Sequence, residues 1–130
     1  MQLIFSSKKE EKNGFLKKML SIFPQNKSAV ENMNKTYGKI LETVAMEDLF
    51  VPCIIDMLVS ENDSNEIQRV FDLIENELNE NDEHSKNLIQ TTILECLGND
   101  RSILKKAQKY MESKTKEMQL EADRQLGRIM

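Results

Sequence analysis

The sequence predicts an all-α protein, and three observations carry that reading. Apolar residues recur at i, i+3, i+4 and i+7 through the middle of the chain, the spacing of a 3.6-residue helical period. Only 39% of the 130 residues are hydrophobic while 31% are charged, a balance that suits apolar stripes rather than continuous apolar runs. Short acidic or amide corners separate the periodic stretches, and several have the form of helix caps.

The clearest stretch is Ser64 to Leu97, two amphipathic helices joined by a polar turn at 79–83. The first places Ile67, Val70, Phe71, Ile74 and Leu78 on one face. The second places Leu88, Ile89, Thr92, Ile93, Cys96 and Leu97. Around this hairpin the other elements fall in order. Residues 1–12, an apolar tag followed by a Lys/Glu/Ser run, read as flexible or extended, and 13–130 as a single helical domain. A short helix over 13–22 turns Phe15, Leu16, Met19 and Leu20 inward, and Pro24 ends it. Ser28 and Glu31 form a capping box for a helix through Val44, with Val30, Met33, Tyr37, Ile40, Leu41 and Val44 inward and Gly38 inside it.

A corner at 45–48 then leads to a helix over 48–60, with Pro52 in its first turn, where the missing N–H does little harm. This is the most apolar helix, expected to lie centrally. Asp63 with Glu66 repeats the capping arrangement. Gly98 is placed to end the second hairpin helix in a left-handed conformation. Asn99 or Asp100 caps a last long helix whose inward face is Ile103, Leu104, Ala107, Tyr110, Met111 and Met118. Beyond Lys114 the apolar spacing thins, which predicts an exposed, partly frayed extension ending at Gly127. The total is five to six helices in antiparallel hairpins. The echo of Leu58…Glu61-Asn62-Asp63 in Leu78…Glu80-Asn81-Asp82 suits a HEAT-like or α-solenoid stack, or two similar corners in an irregular helical bundle.

Composition excludes more chemistry than it offers. His84 is the sole histidine, so multi-imidazole metal sites are unavailable, and it reads as a solvated residue in a polar corner. The four glycines are isolated, leaving no phosphate-cradling loop. Cys53 and Cys96 each lie in an apolar helical face and read as reduced core residues of a cytoplasmic protein. No stretch approaches the length of a membrane span. Lys105, Lys106 and Lys109 read as a solvated helix face, since scarce aromatics and overall acidity argue against direct nucleic-acid binding. No cofactor, metal site or catalytic group is expected.

Charge distribution is more informative. The net charge is −4, yet residues 60–83 hold nine acids against Arg69 alone. A helix from Ser64 to Asn79 is about 24 Å long, so Glu61 and Asp63 lie at its far end. Asp72, Glu75, Glu77, Glu80, Asp82 and Glu83 remain as a cluster around one corner. Such a cluster either solubilises the chain or steers a basic partner onto it. Glu75 and Glu95 fall beside apolar stripes, at the boundary of the core.

Three segments carry a resemblance: Phe71-Asp-Leu-Ile-Glu-Asn-Glu-Leu78, Thr92-Ile-Leu-Glu-Cys-Leu-Gly98 and Tyr110-Met-Glu-Ser-Lys-Thr-Lys116. Over residues 47–118 the chain resembles small all-helical bacterial immunity proteins of polymorphic toxin systems. That resemblance implies a cytoplasmic, non-catalytic protein, monomer or weak dimer, which binds and neutralises a cognate basic protein toxin such as a nuclease. The partner-binding face would be the acidic cluster. The competing expectation is a HEAT-like helical adaptor or a self-associating helical protein.

Overall fold

The computed structural model describes residues 14–80 and 82–127. The expected flexible segment 1–12 lies outside them. Seven helices make up the described chain, with no strand among its residues. They are α1 (Gly14–Ile22), α2 (Lys27–Tyr37), α3 (42–60), α4 (Ser64–Asn79), α5 (83–97), α6 (Arg101–Gln108) and α7 (Ser113–Gln125). The helix count exceeds the expected five to six because the predicted last long helix is two helices, broken at 109–112.

α4 is the hub. It packs against α1, α3, α5 and α7, and its five expected core residues, Ile67, Val70, Phe71, Ile74 and Leu78, are all buried. The more apolar α3 buries Ala45, Met46, Phe50, Val51, Ile54 and Leu58 and packs on α4, α5 and α6, while its Val59 stays exposed. At α4's N-terminus Asp63 Oδ1 accepts from the Glu66 amide at 3.1 Å, the predicted cap. Asp63→Ala is expected to cost about 1 kcal/mol in chemical denaturation, the usual loss for an N-cap oxygen.

The N-terminal third differs most from expectation. α2 stops at Tyr37 because Gly38 adopts φ +71°, a left-handed helix end that suits a residue without Cβ. The helix therefore does not run on to Val44, and both Tyr37 and Val44 are exposed. Ser28 is not its cap; the helix starts at Lys27, and the neighbouring Asn26 side chain reaches away to donate to Leu49 O at 3.1 Å.

α3 begins at Glu42 and runs through the predicted corner without a break, because Met46–Phe50 form a π-helical turn. Pro52 accounts for this: its ring crowds the carbonyl four residues back and it has no N–H to give, and a widened turn accommodates both. A second π turn, Ile89–Leu94, lies within α5 and packs against the first. It turns Leu94 into the core beside Ile93 and leaves Cys96 half-buried. Gly98 has φ −71° and so is right-handed. Glu61, which ends α3, is left-handed at φ +48°, and its carboxylate reaches Lys106 of α6 and Lys109 just past that helix.

α7 is not a frayed extension. Its inner face is polar, with Thr115, Gln119 and Asp123 buried beside Ala122, which is why apolar periodicity fails there. Gly127, at φ +72°, follows its end as expected. No helix among the described residues is long and apolar enough to cross a membrane.

Candidate interaction site

The six predicted acids all belong to the last half of α4 and the corner that leads into α5, but they are differently employed. Glu75 points inward, 6% exposed. One of its carboxylate oxygens accepts from the Thr115 amide at 2.9 Å and the Thr115 hydroxyl at 2.8 Å. The other accepts from the Lys114 amide at 3.1 Å and from Asn79 Nδ2 at 3.4 Å. Glu75 thus caps α7 from another helix, filling a role that Glu112, at the local cap position, leaves vacant. Burial pushes its carboxyl up, but the bonds from Thr115, Lys114 and Asn79 together outweigh burial and hold it below the ordinary range.

Glu77 is also buried. Lys18 of α1 donates to its Oε1 at 2.9 Å and Ser85 of α5 to its Oε2 at 2.9 Å, so one carboxylate ties three helices. The hydrogen bond to Glu77 raises the Lys18 ammonium above its ordinary value, against a smaller desolvation. Asp82 is the α5 cap, accepting from the Ser85 amide at 3.3 Å, and its Oδ2 lies 2.8 Å from the Ser85 hydroxyl. A hydroxyl has one hydrogen, so Ser85 serves Glu77 and Asp82 in alternation. The Ser85 hydroxyl, and after a small desolvation the amides of Ser85 and His84, keep the Asp82 carboxyl low.

The remaining three acids face outward. Glu80, 3.6 Å from Lys18 Nζ, and Glu83, 3.9 Å from Lys86 Nζ, are solvent-exposed. Asp72 is exposed farther up α4 and accepts from Gln68 Nε2 at 3.0 Å. Beside it stands Glu112, whose carboxyl is raised by a hydrogen bond with Asp72, by slight desolvation and by the charges of Asp72 and Glu75. Glu112 escaped sequence reasoning because nothing local links it to a residue forty positions away; only the break between α6 and α7 brings it there. The structure therefore joins Glu77, Glu80 and Asp82 around Lys18 and Ser85, leaves Glu83 with Lys86, sets Asp72 with Glu112, and turns Glu75 into the interior.

His84 is not simply solvated. Its Nε2 lies 2.6 Å from Glu42 Oε1, linking the first turns of α3 and α5. Next to the acidic corner runs a cleft of about 360 Å³ with Leu78 and Met118 in its wall and Lys86, Lys114 and Arg124 along it. Lys106 and Lys109, two of the three expected surface lysines, pair with Glu61. Among the described residues no group of three or more His, Cys, Asp or Glu side chains could hold a metal ion.

These features define a small all-helical domain whose buried carboxylates fasten helix ends. A family model described as a domain of unknown function, DUF7674, matches residues 16–127, and the chain belongs to that family. No curated protein matches the chain, and no solved structure does.

Proposed function

We propose that the chain is a non-catalytic cytoplasmic protein that binds and neutralises a cognate basic toxin, presenting Asp72, Glu80 and Glu83 with Asp82 and Glu112 as its docking edge. The observation that supports this most is the locking of the exposed Asp82 carboxylate by the Ser85 amide and hydroxyl. It fixes negative charge at the corner without side-chain freedom to lose on binding, which favours a rigid basic partner. The resemblance of residues 47–118 to immunity proteins points to a toxin as that partner.

The second reading is a HEAT-like adaptor. Helices adjacent in sequence packed on one another, α3 on α4, α4 on α5 and α5 on α6, favour it. Such a stack would offer a broad surface rather than one corner.

The test uses the product of the neighbouring gene. Glu80→Lys combined with Glu83→Lys, substitutions that leave the Glu75 and Glu77 bonds intact, is expected to weaken its binding at least tenfold. Wild-type binding should also fall as salt rises. Unchanged affinity and salt-independence would remove the acidic edge from the interface and leave the adaptor reading.

A further inference from the structure

The outer side of α7 carries an apolar residue that the fold leaves uncovered. Leu120 is 52% exposed, and it is the wall shared by two half-open clefts of about 360 and 320 Å³. Leu78 and Met118 line the first cleft and Met111 the second, so apolar side chains stand on both sides of the leucine. An isolated surface leucine needs no explanation. One that stands between two recesses has the form of a knob beside its own holes.

Charge on the same face is ordered about that leucine. At 100° per residue, Glu117, Leu120 and Arg124 point within about 60° of one another. An acid therefore precedes the leucine by one turn and a base follows it by one, and all three side chains are exposed. Arg124 donates to Glu121 at 2.8 Å, which occupies one bond of a guanidinium that has five N–H groups to give.

We propose that this face of α7 is a self-association surface, on which a second copy of the chain lays its own α7 antiparallel about a two-fold axis beside Leu120. With the axis between residues 120 and 121, the two leucines lie side by side, each entering a cleft of the other copy. Position 117 then faces 124 on both sides of the axis, pairing Glu117 with Arg124 of the second copy twice. Position 116 faces 125 and 114 faces 127, so Lys114 and Lys116 meet no like charge. A face with an acid at one end and a base at the other is complementary to its own reverse. A partner of one sign would be attracted at one end and repelled at the other. The contact is one helix about 20 Å long, less than a standard interface, so association is weak, with a Kd on the order of 100 μM. The surface uses none of the acids assigned to the docking edge and does not rest on the toxin reading.

Sedimentation equilibrium of the full-length protein, from about 10 μM to about 1 mM, brackets that constant. The expected result is a reversible monomer–dimer equilibrium that Leu120→Glu weakens at least tenfold. Glu117→Arg alone and Arg124→Glu alone should each weaken it at least tenfold, because each sets like charges face to face. An equimolar mixture of these two should form a heterodimer with affinity close to wild type, since both contacts are then opposite in sign. The double variant Glu117→Arg/Arg124→Glu should dimerise by itself for the same reason. Helical circular dichroism confirms that each variant is folded, as exposed positions allow. A wild type that stays monomeric to about 1 mM, undiminished dimerisation of folded Leu120→Glu, or folded charge variants that associate no better when mixed would each overturn the proposal.

Discussion

Replacing Glu75 with alanine is expected to destabilise the protein by about 3 kcal/mol, because two backbone amides and a buried hydroxyl lose a charged acceptor together. For a domain whose whole stability is of the order of 5–15 kcal/mol, that is a large fraction. Urea denaturation at neutral pH measures it, and loss of α7 protection in hydrogen exchange should accompany it. The same carboxylate gives an acid dependence with a definite sign. Its folded-state titration lies below the ordinary value of 4.5. The stabilisation is therefore fully present above that value and is lost as pH falls through the lower folded one. Glu75→Gln should flatten the acid limb of the stability curve between neutrality and strongly acid pH. A limb as steep as wild type would show that other carboxylates, Asp82 among them, account for it.

Phe71→Ala is expected to cost about 4 kcal/mol, the middle of the range for emptying a buried phenylalanine site. Phe71 is fully buried in the hub helix and stacks on Tyr110 with ring centroids 6.2 Å apart. Tyr110 sits at the break between α6 and α7, and its carbonyl accepts from Gln68 of α4 at 3.0 Å. The cavity would therefore loosen the seating of α7 as well as the core. The check is a fall in the urea midpoint with the slope retained; a loss below 1 kcal/mol would mean that the ring site collapses without a void.

The hairpin over 64–97 was legible because the core of α4 follows one period and its corners carry side chains that cap locally, whereas the π turn in α5 brings in Leu94, which the period did not mark. Asp63, Asp82 and Asp100 each bond amides two or three residues on, a relation visible in sequence. Elsewhere legibility failed for physical reasons. α7 is docked by Thr115, Gln119 and Asp123, polar residues whose burial depends on partners supplied by α4 and α5. The cap of α7 comes from Glu75, forty residues upstream. Ser28 and Glu31 have the letters of a capping box, yet the helix starts two residues earlier than that cap would set it, with Asn26 at the cap position. Of the predicted acidic face, the positions were readable but their employment was not. Whether a carboxylate meets water or a distant amide is decided by helix packing, so Glu75 and Glu80, five residues apart on one helix and its end, have opposite roles.

The two π turns have a consequence for how this chain tolerates length changes. Each holds one more residue per turn than an α-helix, so each is in effect a spare residue stored inside a helix. Removing one residue from 46–50 would let α3 close into a regular α-helix and turn Val51–Ser60 by about 100° relative to Glu42–Ala45. Ile54 and Leu58 would then swing off the core while Ala45 stayed on it. The spare residue works as a phase adjuster: it lets two segments with mismatched apolar stripes serve one core as one continuous rod.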